Sequence, residues 1–157
     1  MEQLNRAKRY LRRIERLYAG VFSSMGHDEE EYFDDVLSFF IHCYHVRDWS
    51  IHQDGAVVRA REIDAFIDLN EPLRICADLA NGSKHCKLMR TPRSGHQPTI
   101  SQPQKLYSTW FVGDGGGEVL QCSYRVESNG KSFDVRELAC ECITLWEKFL
   151  NGPRPMD

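Results

Sequence analysis

One stretch in the first third of the chain decides the fold: residues 40–52, which read FIHCYHVRDWSIH. Apolar and aromatic residues recur in it every three or four positions, which is the period of an α-helix. The stretch also holds three of the six histidines, together with an arginine, an aspartate and a tryptophan. A helix that carries so many polar side chains beside its apolar face predicts a buried or half-buried polar site.

The helical period extends outward from this stretch along most of the chain. Asp28 and Glu31 have the capping-box spacing that begins a helix, and Asp134 and Glu137 repeat that spacing before the last helix. Asn129-Gly130 lies between two alternating segments and predicts a β-hairpin. The predicted elements are helices over about 4–22, 28–53, 59–68, 71–88 and 134–151 and a β-hairpin or meander over 105–134. We therefore expect a mainly α fold: one domain, 1–157, built as a bundle of about four helices with a small antiparallel β-sheet inserted before the last helix.

Composition and charge restrict the functional classes. The chain has 157 residues, 41% of them hydrophobic, and a formal net charge of -3. This balance gives the whole molecule no electrostatic attraction to nucleic acid or to an anionic membrane. No apolar run has the length of a membrane span, and no secretory signal pattern follows the basic amino terminus. The six cysteines form no CxxC pair, so we expect a reduced, cytoplasmic protein with buried thiols and no membrane partner.

Two polar stripes are the candidate site. Side chains three, four or seven positions apart share one face of a helix. The first stripe holds His42, His45, Trp49 and His52, and the carboxylate of Asp48 is spaced to reach either His45 or His52. A carboxylate that orients an imidazole is an arrangement used for acid–base catalysis. The second stripe holds Arg74, Asp78, Asn81 and His85, with Lys84 beside it, and it requires the helix to continue across Gly82.

If the two helices pack against each other, the stripes meet in one polar site. The candidate catalytic residues are His45, Arg47, Asp48, His52, Asn81, Lys84 and His85. A structural hydrogen-bond network is the alternative, because buried polar groups must find partners. A metal site formed by His42, His45, His85 and Asp48 is a third interpretation. Its ligand spacing matches no closed motif, so we expect neither a metal nor another cofactor.

The segment Arg47-Asp48-Trp49-Ser50-Ile51-His52 resembles the Arg-x4-His signature of the HEPN superfamily. Members of that superfamily are all-helical domains, and many are metal-independent ribonucleases of toxin–antitoxin, phage-defence and RNA-processing systems. The resemblance implies that His52 is the general acid or base, that Arg47 holds the phosphate, and that Asp48 fills the polar position after the arginine. It also implies RNA as a partner and a cleft between the two subunits of a homodimer.

Residues 45–49 and 81–85 also resemble the paired signatures of a group of uncharacterised bacterial and phage proteins. This second resemblance supports treating both segments as one site, and it implies no activity. Two hypotheses follow from the sequence. The protein is either a small HEPN-like endoribonuclease or a non-catalytic protein-interaction module, of the antitoxin or phage-accessory kind, in which the polar cluster is structural.

Overall fold

The computed structural model describes residues 1–22, 29–52, 60–84 and 91–152. Within them the elements are, in chain order, α1 (Glu2–Ala19), β1 (Val21–Phe22), α2 (Glu29–His52), α3 (Ala60–Leu69), α4 (Glu71–Lys84), β2 (Thr99–Ile100), β3 (Gln104–Val112), β4 (Gly115–Ser123), β5 (Arg125–Ser128), β6 (Lys131–Asp134) and α5 (Val135–Asn151). Among the described residues, no helix has the length and apolar character needed to cross a bilayer.

The first helix is amphipathic and ends earlier than its sequence predicts. Its apolar side chains, from Leu4 to Leu17, are buried at three-to-four spacing, as the pattern requires. The helix stops at Ala19 because Gly20 takes φ +116°, a conformation that side-chain-bearing residues rarely adopt. A Cβ on Gly20 would also lie 2.6 Å from a methyl carbon of Val119. The next two residues then form β1 instead of a last helical turn.

The second and fourth helices form the centre of the domain. The decisive stretch lies in α2, where Val36, Phe39, Phe40, Cys43 and Val46 are fully buried. The helix packs against both α1 and α4. In α4 every residue from 75 to 80 is buried, so this helix is enclosed on most of its surface.

The fourth helix continues through Gly82 to Lys84, so this glycine does not end it. A Cβ on Gly82 would lie 2.5 Å from Nε2 of Gln97, which shows how closely the loop over 91–98 passes. The amide of Gln97 donates to the backbone oxygen of Asp78 at 3.3 Å. The end of the predicted helix, residues 85–88, lies outside the described residues.

Two local predictions for the carboxyl-terminal part are confirmed. The side chain of Asp134 accepts a hydrogen bond from the backbone N–H of Glu137 at 3.0 Å and caps α5. Asn129 and Gly130 both have positive φ, 51° and 72°, and join β5 to β6 as the type I′ turn that this pair favours.

The predicted fold class is wrong. The described strands form two three-stranded antiparallel sheets, with the orders β1-β4-β3 and β2-β5-β6, so they are not one small sheet inserted before the last helix. One of these strands, β1, even precedes α2. Cys122 of β4, Val126 of β5 and Tyr124 between the two strands are buried in the same core as the helices. The core is therefore mixed α/β, with five helices among the described residues, rather than a helical bundle with one small β insert.

The two sheets separate at Tyr124, inside the segment 105–134 that the sequence predicts as one β-hairpin or meander. The hydroxyl of Tyr18 donates to the backbone oxygen of Tyr124 at 3.0 Å and accepts from its backbone N–H at 3.0 Å. The N–H of Val135 donates to the same oxygen. Because these partners lie outside the strands, the ladder breaks here and the chain passes from one sheet to the other.

Candidate functional site

The predicted arginine is held by carboxylates. Arg47 donates from Nε and Nη2 to the two oxygens of Asp64 at 2.8 and 2.6 Å, and from Nη1 to Asp48 at 2.9 Å. The two-pronged bond to Asp64 is the strongest geometry available to this pair. The hydrogen bond from Arg47, followed by a smaller one from Arg93, lowers the pKa of Asp64 below its ordinary value despite partial burial.

A second arginine completes this ion network. Arg93 donates to Asp64 at 2.8 Å and to Asp68 at 2.7 Å. The carboxylate of Asp64 therefore lies between two guanidinium groups, one from α2 and one from the loop over 91–98. The network ties α2, α3 and this loop together.

Asp78, a member of the second predicted stripe, anchors the same loop. It is 3% exposed. One of its oxygens accepts from the backbone N–H of Arg93 at 2.8 Å, and the other accepts from the N–H and the hydroxyl of Ser94 at 2.7 and 2.6 Å. Three donors compensate for the burial of this charge. We call this group of Asp78, Arg93 and Ser94 the Asp78 anchor.

The histidines of the first stripe lie beside the core rather than in it. The side-chain amide of Gln3 lies 3.0 Å from Nδ1 of His42 and donates to its backbone oxygen at 3.1 Å. Tyr10 stacks on the same ring, with centroids 5.1 Å apart. Burial, followed by the charges of His45, Arg6 and Arg9, lowers the pKa of His42.

The remaining predicted site residues do not form one described cluster. His45 is half-buried, with its ring 6.5 Å from that of His42, and His52 is exposed in the last turn of α2. Asn81 is half-buried on α4. The side chain of Lys84 and the whole of His85 lie outside the described residues, so the meeting of the two stripes stays a prediction.

The geometry of α2 bears on the Arg-x4-His pair. Five positions along an α-helix turn the side chain by about 140°, so Arg47 and His52 leave the helix in different directions. The guanidinium of Arg47 is bound to Asp48 and Asp64 instead. The catalytic pairing of Arg47 with His52 stays a prediction.

A different surface is the most unusual feature of the molecule. We call β3 and β4 with their turn, residues 104–123, the exposed hairpin. All nine residues of β3 are exposed. Leu106, Tyr107, Trp110, Phe111 and Val112 are between 42% and 82% exposed. Successive residues of a strand point to opposite faces, so both faces of β3 present large apolar side chains.

The partner strand leaves the tip of this hairpin uncovered. Trp110, Phe111 and Val112 lie opposite Gly117, Gly116 and Gly115. Cross-strand side-chain pairs are what normally stabilise a two-stranded ribbon, and glycines contribute none. The sequence carries this signal as an apolar triplet, a turn and three glycines. In the structure Trp110 meets the ring of Phe22 edge-on, with centroids 6.2 Å apart, whereas Phe111 and Val112 are 82% and 72% exposed.

A third group was not predicted as a site. Cys43, Cys76 and Cys142 come from α2, α4 and α5, and their sulfur atoms all lie within 4.8 Å of one another. We call them the thiol cluster. They are 0%, 1% and 0% exposed. No local spacing motif could reveal them, because each comes from a different helix.

The three thiols of the cluster differ in their hydrogen bonds and in the direction in which their surroundings shift the pKa. The thiol of Cys76 donates to the backbone oxygen of Phe40 at 3.5 Å, and that of Cys142 donates to the backbone oxygen of Pro72 at 3.4 Å. Burial raises the pKa of Cys76 and Cys142. Burial opposes ionisation of Cys43 too, but the neighbouring polar groups, first the thiols of Cys142 and Cys76 and then the nearby indole N–H of Trp146, lower its pKa.

Comparison with protein-family models, with curated proteins and with solved structures gives no match for this chain.

Proposed function

We propose that this protein is a non-catalytic interaction module that pairs with a second copy of itself through the outer edge of β3. The observation that carries the proposal is a strand of nine residues, all exposed, with large apolar side chains on both faces. In its sheet, β3 is an edge strand that is bonded only to β4 among the described strands. Long, apolar, open edges are a hazard that proteins normally cover or charge.

A second copy is the occupant that the surface area favours. Aromatic side chains bury roughly 150–250 Å² each and aliphatic ones less, so the exposed parts of the three aromatic and two aliphatic side chains on β3 offer at most roughly 600 Å². A stable interface of standard size buries about 800 Å² on each partner. The backbone edge and the neighbouring polar side chains supply the rest. The apolar area of one hairpin is thus close to what a symmetric dimer needs.

The charges on β3 favour self-pairing in one register. The strand carries a single charged residue, Lys105. An antiparallel pair centred on Ser108 places Lys105 opposite the partner's Phe111, where a cation over an aromatic ring is favourable. The same register places Leu106 opposite the partner's Trp110. No like charges oppose each other along the strand, and both sets of side chains stay on matching faces.

The polar cluster supports a non-catalytic role. Asp78 has three donors, and Asp64 is held between Arg47 and Arg93. These groups fix one helix or loop against another. A reducing, cytoplasmic setting belongs to the same proposal, because the five described cysteines are all thiols.

Sedimentation velocity of the wild type and two variants tests the proposal. Phe111→Glu places a charge on the proposed interface, and Leu69→Glu is the matched control, because both side chains are 82% exposed. We expect the wild type and Leu69→Glu to be dimers and Phe111→Glu to be a monomer. A monomeric wild type, or a dimer that survives Phe111→Glu, would contradict the proposal.

The HEPN-like endoribonuclease with RNA as its partner stays the second candidate, on the resemblance and on the exposed position of His52. In that function, Arg47 must exchange at least one of its carboxylate partners for a phosphate. Incubation with RNA in the absence of added metal tests it. Equal cleavage by the wild type and His52→Ala, or no cleavage by the wild type, would reject it.

A further inference from the structure

We propose that Cys43, Cys76 and Cys142 form a three-thiolate binding site for one soft metal ion, and that Cu(I) is the ion that fits it. The three sulfur atoms converge from three helices and lie within 4.8 Å of one another. Three sulfurs around one ion at a metal–sulfur distance of about 2.3 Å lie about 4.0 Å apart. The site therefore needs to contract by less than about 1 Å, which small side-chain rotations provide.

An unpaired hydrogen-bond donor is directed at the cluster. The indole N–H of Trp146 is buried and has no hydrogen-bond partner among the described residues, although such donors are nearly always satisfied. Trp146 lies one helical turn beyond Cys142 and faces the sulfur of Cys43, whose ionised form it stabilises. A metal-bound thiolate at Cys43 gives this donor an acceptor and offsets part of the negative charge of the site.

The number and type of ligands select the ion. Thiolates favour soft ions such as Cu(I) and Zn(II) over hard ions such as Mg²⁺ and Ca²⁺. Zn(II) closes its structural sites with four protein ligands. Among the described residues, this cluster offers three sulfurs and no histidine or carboxylate. Burial also leaves little room for a water ligand. Cu(I) is stable with three thiolates, and it therefore suits this site better.

Binding exchanges protons for the metal without any redox step. Each coordinating thiol loses its proton to solvent as its sulfur binds Cu(I), so affinity rises with pH. The weak hydrogen bonds from Cys76 to Phe40 and from Cys142 to Pro72 are lost at the same time. Since all three sulfurs are buried, we expect loading to be limited by opening of the helix packing.

The test is anaerobic titration of the reduced full-length protein with Cu(I) against a chromophoric Cu(I) chelator. We expect one high-affinity Cu(I) for each chain, and a loss of at least tenfold in affinity in Cys43→Ala, Cys76→Ala and Cys142→Ala. Two matched controls are available. Cys140→Ala removes the exposed cysteine of α5, the helix that carries Cys142. Cys122→Ala removes a buried cysteine outside the cluster. Both controls are expected to keep wild-type affinity.

A second measurement remains decisive if a cluster variant fails to fold. X-ray absorption of the Cu(I)-loaded wild type is expected to show three sulfur neighbours and no nitrogen or oxygen neighbour. Failure to bind one Cu(I), a nitrogen or oxygen ligand, an equal loss of affinity in Cys140→Ala, or tighter binding of Zn(II) than of Cu(I) would each overturn the proposal.

Discussion

The Asp78 anchor and the exposed hairpin differ in how far contacts within the chain satisfy their side chains. In the anchor, a buried carboxylate receives three donors, and the neighbouring arginines are paired with carboxylates. In the hairpin, large apolar side chains face solvent on both sides of a strand, opposite glycines. The first region is satisfied by contacts within one chain, whereas the second leaves large apolar side chains in solvent. This difference separates residues that hold the fold from residues that we propose bind a second copy.

The largest expected effect comes from removing the carboxylate of the anchor. Asp78→Ala leaves the backbone N–H groups of Arg93 and Ser94 without their acceptor, and each orphaned buried group costs about 1–3 kcal/mol. The Ser94 hydroxyl loses its shorter hydrogen bond and keeps only the backbone oxygen of His96 at 3.0 Å. We expect a loss of about 3 kcal/mol or more in the free energy of unfolding, measured in urea. A loss below about 1 kcal/mol would show that the loop is not anchored as described.

The ion pair between Arg47 and Asp64 is expected to give a smaller effect on stability, and this effect depends on pH. The pKa of Asp64 is lowered in the folded state, so its contribution is fully present above the ordinary value of 3.8 and is lost as pH falls through the lowered value. The side chain is 30% exposed, so solvent screening limits the gain. We expect Asp64→Asn to lose about 1–2 kcal/mol near neutral pH.

The acid side of the same unfolding curve provides the control. As pH falls below about 4, the wild type should lose stability faster than Asp64→Asn, so that the two curves converge. Parallel curves over this range would contradict the assigned ion pair.

His42 gives a third, weaker test of the helical region. Its pKa is lowered mainly by burial, so the folded state binds the proton less tightly than the unfolded chain does. The contribution of His42 is fully present above the ordinary value of 6.5, and it is lost as pH falls through that value towards the folded one. We expect the melting temperature of the wild type to fall between pH about 7.5 and about 5.5 more than that of His42→Gln.

The smallest expected effect on stability belongs to the hairpin. Phe111→Ser changes an exposed side chain opposite a glycine, so it should change the free energy of unfolding of a dilute sample by less than about 0.5 kcal/mol. Dilution matters because dimerisation would add stability to the wild type. A loss comparable to that of Asp64→Asn would mean that Phe111 packs within its own chain.

Local signals in the sequence predicted much of the secondary structure. The cap at Asp134 and the turn at Asn129-Gly130 depend on residues close in sequence, and both predictions are confirmed. The separation of the two sheets depends on Tyr18, more than a hundred residues before Tyr124. No pattern within residues 105–134 shows that the ladder breaks at Tyr124, so the fold class was mispredicted.

The candidate sites show the same division between near and distant residues. The sequence predicted Arg47 and Asp48, which are neighbours, as site residues. It did not predict Asp64, which binds Arg47, or Arg93, which binds Asp64 in turn. The thiol cluster was missed because its cysteines meet only when three helices pack. The sequence did not predict the exposure of β3. Its apolar residues do not alternate with polar ones, so the pattern assigns neither face of the strand to solvent.

The central claim is that β3 pairs with β3 of a second copy, and a cross-link tests it most directly. In the proposed register, Ser108 lies opposite the partner's Ser108, where facing Cα atoms are about 4.5–5.5 Å apart, within the range of a disulfide. In a Cys140→Ser background, which removes the exposed described cysteine, Ser108→Cys should form a covalent dimer under mild oxidation, and Ser83→Cys on α4 should not. A monomeric Ser108→Cys protein, or equal cross-linking of both variants, would contradict the account.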